Sequence, residues 1–295
     1  MSARIPLPDE LQNRSFTTQE ALTLGVGRGR LAGRDITSPF RGVHLSASGP
    51  ASLEELCRGL SRRVGPRAFF AGITAAKLWN APLPRWCDDE RVVVAIRGGT
   101  APVGRGVRGR ALAMPDDDIT FLGDLPLTTP SRTWLDLASD LSLPDLVAVG
   151  DFFIHHRHPL TSRDALITRV ADGVGRRGIR VARVAIELLS ERSESRKETH
   201  LRVLLTTHGI GPLEANYWVV TSSSHRYRLD LADVAHKIAF EYQSAFHHDP
   251  ERQQADMVRR SRLQADGWIV IEVSQWDLTH PSDLIARVRA TLAQR

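Results

Sequence analysis

Two short runs, Tyr227-Arg-Leu-Asp-Leu-Ala232 and Lys237-Ile-Ala-Phe-Glu-Tyr-Gln243, alternate in polarity with a period of two and lie four residues apart. That spacing constrains them to a β-hairpin with one buried face, because a one-residue slip would turn every apolar side chain to water. With a turn at Asp233 to His236, antiparallel pairing sets Asp230 beside Phe240 and one step from Glu241. Leu229, Leu231, Ile238, Phe240 and Tyr242 then share one face, and Asp230, Ala232, Ala239, Glu241 and Gln243 the other. Two carboxylates crowded onto one sheet face repel each other unless a cation or proton offsets them, so the pair is a candidate site for a divalent metal. A solvated hairpin face is the plain alternative.

The flanking chain supplies the other elements. Asp249 suits a helix N-cap, Pro250 the first helical position and Gly267 the helix end, and the run from Trp268 to Val273 reads as a further strand. Upstream, the stretch from Glu194 to Leu205 reads as a helix ending at His208-Gly209, followed by a strand over Ala215 to Val220. The predicted order is helix, three strands, helix, strand, with a last helix over Asp283 to Leu292.

With an acid on the first helix, an acid on the second strand and Glu-x-Gln on the third, this order resembles the PD-(D/E)xK restriction-endonuclease fold. Within that fold it is most similar to the very-short-patch-repair-like endonuclease domains. The matching stretches are Lys197-Glu-Thr199, Arg228-Leu-Asp-Leu-Ala232, Phe240-Glu-Tyr-Gln243 with His247-His248, Asp256 with Arg259-Arg260, and Leu263-Gln-Ala-Asp-Gly-Trp-Ile-Val270. The resemblance implies metal-dependent hydrolysis of a DNA phosphodiester. Asp230 and Glu241 would hold Mg²⁺ or Mn²⁺, Glu198 would be an outer ligand or orient a water, and His247 would transfer protons, as a near-neutral pKa allows.

One position departs from the pattern. Gln243 stands where such sites usually have Lys; its amide can orient a water but brings no positive charge to the phosphate. A nuclease-like domain that binds nucleic acid without cutting it therefore remains an alternative. Arg259 and Arg260 are candidate phosphate contacts, with pairing to Asp256 and Glu251 as the bland reading.

The N-terminal part carries other signals. Phe16-Thr-Thr-Gln-Glu-Ala21 holds a capping box between Thr17 and Glu20, so a helix starts there and stops at Gly25. A second short helix over Arg28 to Gly33 and a turn with a strand over Pro39 to Leu45 complete the outline of a winged helix. Arg28, Arg30 and Arg34 on the second helix and Arg41 on the wing are candidate DNA contacts, though short arginine-bearing helices also line ordinary surfaces.

The middle region reads as helices over Leu53 to Val64 and Phe69 to Asn80, strands over Val92 to Ile96, Gly106 to Leu112 and Ile119 to Leu122, and helices from Ser131 and Leu143. Ile73-Thr-Ala-Ala-Lys-Leu-Trp79, Pro82-Leu-Pro84, Leu127-Thr-Thr-Pro-Ser-Arg-Thr133 and Leu135-Asp-Leu-Ala138, together with the winged-helix motifs, resemble the AbiEi family of abortive-infection antitoxins. That family is associated with DNA-binding autorepression and with neutralising a nucleotidyltransferase toxin. For Thr74, Trp79, Arg132 and Asp136 themselves, packing, helix capping and an ion pair are the plainer roles.

The fold expected is α/β (α+β): a winged-helix-like domain over 1–50, an α+β domain over 51–160, linking helices over 161–192, and a restriction-endonuclease-like domain with a mixed central sheet over 193–295. The formal charge of +5 favours an acidic partner such as DNA. Of the 39 basic residues 36 are arginine, so the arginine excess can reflect coding bias and decides little by itself. Cys57 and Cys87 have no metal-ligand spacing and point to reduced thiols. No apolar run is long enough to span a bilayer and no signal-peptide core opens the chain, so a cytoplasmic protein is expected. DNA is the expected partner; a toxin-type nucleotidyltransferase and a second copy of the chain are further candidates.

Overall fold

The computed structural model describes residues 6–46, 51–89, 91–112, 114–243 and 250–295, with only the backbone at 89 and 250–253. It is an α+β protein that divides into two compact units, Met1–Leu137 and Ala138–Arg295.

The first unit begins with β1 (Ser15–Thr17), α1 (Thr18–Thr23), α2 (Arg28–Leu31), β2 (Thr37–Phe40) and β3 (Val43–Leu45). The capping box forms as the sequence suggests: the Thr17 side chain accepts the Glu20 N–H, and Glu20 reaches back to the Thr17 N–H at 2.6 Å. Three strands in the order β1-β3-β2 close this module. The chain continues with α3 (Leu53–Val64), β4 (Ala68–Phe70), α4 (Gly72–Leu78), β5 (Val92–Ile96), β6 (Val107–Ala111), β7 (Ile119–Leu122), β8 (Leu125–Thr128) and α5 (Pro130–Leu137). Its five strands form a mixed sheet, β6-β5-β4-β8-β7.

The helix expected over Phe69 to Asn80 begins only at Gly72, because Ala68–Phe70 pairs with β5 as a buried central strand. A short apolar run cannot be told from a helical one by its pattern alone. Residues on both sides of position 50 fall in the same compact unit. Arg62 on α3 donates to the Ser15 carbonyl at 2.8 Å, so α3 is tied to the three-stranded sheet as well as to the five-stranded one.

Thr74 accepts the Val93 N–H at 2.8 Å, the Trp79 indole donates to the Thr128 carbonyl at 3.0 Å, and Arg132 pairs with Asp136 at 2.8 Å and Asp118 at 2.5 Å. All four motif residues thus hold the framework together. Cys57 and Cys87 are buried outside any disulfide, and burial pushes the Cys57 thiol up to about 12, far from a reactive thiolate.

The second unit comprises α6 (Leu143–Phe153), α7 (Arg163–Asp172), α8 (Ile179–Glu187), α9 (Arg196–Thr207), β9 (Glu214–Val220), β10 (Arg226–Asp233), β11 (Ile238–Tyr242), α10 (Pro250–Ala265), β12 (Ile269–Val273), α11 (Gln275–Thr279) and α12 (Pro281–Leu292). The sheet runs β12-β11-β10-β9, parallel between β12 and β11 and antiparallel elsewhere. Leu201 and Leu205 of α9 with Leu284, Ile285 and Val288 of α12 cover one face, and Leu263 of α10 with Trp268 covers the other. The result is three layers, a natural outcome for a mixed sheet with two apolar faces.

The expected boundaries at 160 and 193 do not match this division, because α6 is part of the second unit. Asp145 and Asp151 on α6 hold α9 through ion pairs, so α6 braces the sheet domain. Gly178, at φ +83°, opens α8 where a Cβ would run into the Ala138 carbonyl, which only glycine avoids. Among the described residues no helix is long and apolar enough to cross a membrane.

Candidate active site

The hairpin turn occupies residues 234–237, one residue later than the sequence suggests. Asp233 fixes it by accepting the His236 N–H at 3.1 Å and facing the His236 ring at 2.9 Å. Leu231 therefore pairs with Phe240 and Ala232 with Ala239, and the same register carried one step sets Asp230 across from Glu241, not Phe240. The Tyr242 N–H donates to Asp230 at 3.0 Å, tying the acid on β10 to the strand that bears Glu241.

The expected facing of β10 also changes. Leu231 packs in the core beneath α9 and α12, whereas Leu229 lies on the α10 side with Ala232 and Ala239. On the neighbouring strand Ala215 and Tyr217 divide between the same two faces, and Asn216 between them has the left-handed φ of +52°. Asn is among the few residues that accept this conformation at low cost. Its side-chain amide donates to the Arg192 carbonyl at 2.7 Å and to Glu198 at 3.1 Å. The irregularity in β9, the ladder neighbour of Asp230, is thereby linked to the acid on α9.

Glu198 sits in the first turn of α9, where the Ser195 side chain caps the helix and accepts the Glu198 N–H at 3.1 Å. It also accepts the Glu194 N–H at 3.1 Å, while Glu194 pairs with Arg228 of β10 at 2.8 Å. α9 is fastened from behind: Asp145 takes Arg196 at 2.6 Å and His200 at 2.8 Å, and Asp151 takes Arg202 at 2.5 Å and Thr199 at 2.7 Å. Burial works against ionisation of Asp145, but His200, Ser142 and Arg196 together hold its carboxyl well below the usual carboxylate range. These acids escaped the sequence reading. The available signal was two aspartates inside the otherwise apolar run Leu143–Phe153, since buried acids on a helix demand partners.

Arg259 holds a position the sequence did not reveal. It reaches down from α10 to Glu241, at 2.7 and 3.3 Å, and to the Arg228 carbonyl at 2.9 Å. Burial pushes the Asp230 and Glu241 carboxyls above their usual range; at Glu241 the Arg259 hydrogen bond opposes the rise and the charge of Asp230 adds to it. Beside them lies a cleft of about 180 Å³ lined by Glu241, Gln243, Asp256, Arg259, Arg260 and Glu272. Gln243 donates to Glu272 at 3.2 Å, and Arg260 pairs with Glu272. His247 and His248 lie outside the described residues.

Among the described residues no three His, Cys, Asp or Glu side chains gather closely enough to hold a metal by themselves. Asp230 and Glu241 still suit a hard divalent cation: they are oxygen ligands on adjacent strands, and burial makes their charges costly without a cation. Mg²⁺ commonly takes one or two carboxylates and completes its shell with water and substrate oxygens.

In the first unit Arg28, Arg34 and Arg41 are exposed. Arg30 is turned to Asp35 through hydrogen bonds of 2.9 and 2.7 Å, and that pair stabilises the turn after α2. α2 spans four residues, a single turn, so only its flanks and the β2–β3 turn at Arg41-Gly42 extend the basic surface.

No known protein family matches the chain. Over 163 residues, 55% of its length, it is 29% identical to two Mycobacterium tuberculosis proteins, "Uncharacterized protein MT2308" of strain CDC 1551 / Oshkosh and "Uncharacterized protein Rv2248" of strain ATCC 25618 / H37Rv. The match covers 59% of each relative.

Proposed function

We propose that the second unit is a Mg²⁺-dependent endonuclease acting on DNA, with a core like the very-short-patch-repair endonucleases, and that the first unit, which resembles AbiEi antitoxins, contributes DNA binding. One observation carries this reading: Asp230 and Glu241 lie across from each other on adjacent strands, with burial raising both carboxyls and Arg259 bonded to Glu241. Asp230 and Glu241 would hold the cation, which when bound lowers the pKa of a water and offsets charge on the scissile phosphate. Tyr242 orients Asp230 through its backbone N–H, and Asn216 fixes the rotamer of Glu198, which is available to orient a water. By its place in the sequence His247 is the candidate for proton transfer.

A second reading, a DNA-binding regulator with a silent nuclease core, draws on two contacts. Arg259 takes both oxygens of Glu241, and Gln243 turns to Glu272. Purified protein incubated with supercoiled plasmid, single-stranded DNA and a mismatched duplex in Mg²⁺, Mn²⁺ or EDTA separates the two. Cutting that needs metal and disappears in the Asp230→Ala/Glu241→Ala double variant is the expected result. Undiminished cutting by that variant would remove the site assignment, and DNA binding without cutting in any metal would favour the regulator.

A further inference from the structure

α10 is polar along most of its length, yet Arg259 turns inward: its side chain is 25% exposed and ends on Glu241, itself 13% exposed. Its guanidinium spends two hydrogen bonds on one carboxylate, the same fork that an arginine offers a phosphate. With Asp230 and Glu241 ionised, the three side chains leave one net negative charge. Adding a divalent cation reverses this to one positive charge and takes from Arg259 the carboxylate it holds. A half-buried guanidinium deprived of its anion is costly, so metal alone is a poor fit. A phosphodiester placed on Arg259 supplies the anion that the cation takes away.

Building on the endonuclease reading, we propose that Arg259 is an internal cation that holds Glu241 until a divalent metal and an internal phosphodiester arrive together, then moves onto the phosphate and supplies the positive charge that Gln243 lacks. Metal and nucleic acid then bind with positive cooperativity, reciprocal by linkage.

Mn²⁺ binding to the full chain, read from the electron paramagnetic resonance of the free ion, tests this without catalysis. Without nucleic acid, Arg259→Gln is expected to bind Mn²⁺ about ten-fold or more tightly than wild type, a change of about 1.4 kcal/mol or more. Arg259→Lys, which keeps the charge but holds Glu241 through one point, falls between them and carries the test should Arg259→Gln not fold. Adding Asp230→Asn to either background abolishes the binding. Equal Mn²⁺ affinity in wild type and both Arg259 variants, with binding still lost on Asp230→Asn, would overturn the role of Arg259 and leave the metal site standing. Mn²⁺ affinity indifferent to Asp230→Asn would overturn the metal site itself, and this inference with it. A short DNA duplex should tighten Mn²⁺ in wild type and not in Arg259→Gln; a duplex that binds wild type yet leaves its Mn²⁺ affinity unchanged would rule out the exchange onto phosphate.

Discussion

Asp230 combines two demands that oppose each other. Its carboxylate accepts the Tyr242 N–H, which any oxygen at that place would do, while its charge sits half-buried across from a second acid. Because burial raises the carboxyl above its unfolded value, the folded chain holds that proton more tightly. Stability attributable to Asp230 therefore falls as pH rises from the usual carboxylate range, about 4, through the raised folded value. Asp230→Asn keeps the acceptor and removes the charge. At pH 7 in EDTA it should gain about 1 kcal/mol after solvent screening, a rise of about 2–4 °C in Tm, and the gain should vanish near pH 4. Thermal unfolding at the two pH values checks this, and a lower Tm for the variant at pH 7 would mean the acid is structural. A group whose removal stabilises the fold but ends its chemistry is typical of a functional site.

At the scale of elements, the α6–α9 brace determines how firmly Glu198 is presented. Asp151 is almost fully buried and serves the Arg202 guanidinium, the Thr199 hydroxyl and the Ser190 N–H together. Asp151→Ala would strand Arg202, itself only 8% exposed, as a buried unpaired cation. Loss of one partner from such a pair costs about 3–5 kcal/mol. Urea unfolding of the full chain should record a loss of that size for the second unit, and a loss below about 1 kcal/mol would show that water reaches Arg202. The helix start at Thr17 was legible because a capping side chain acts over three residues. β4 was not, since Ala68–Phe70 becomes a strand only through partners 24 and more residues away, from Val94 to Ile96.

For the whole molecule, the basic surface of the first unit and the acid pair of the second give separable signatures. Replacing Arg28, Arg34 and Arg41 together by Ala should weaken DNA binding and lower the slope of log K against log salt by roughly three, at about 0.9 per phosphate contact. Arg30→Ala, which breaks the Asp35 pair, should instead cost stability and leave the slope nearly unchanged. Fluorescence anisotropy across a salt series measures both; an unchanged slope in the triple variant would place the DNA contacts elsewhere.

The sequence alone determined the order of elements from α9 to β12, the final helix α12, the hairpin and its two acids, because each of these is written in short-range patterns: capping residues, period-two alternation, and the Pro and Gly that bound a helix. It did not determine the short α11. Tertiary structure decided the rest. The register placed Asp230 across from Glu241 because the turn at 234–237 closes around Asp233. Leu229 and Leu231 lie on opposite faces beside Asn216, whose left-handed backbone no alternation announces. Arg259 became the counter-charge of the acid pair, and α6 the brace of α9, through contacts 18 and 51 residues apart in sequence. Charge pairing at such separations is set by which layers stack and at what register, and a linear pattern carries the charges but not their distances.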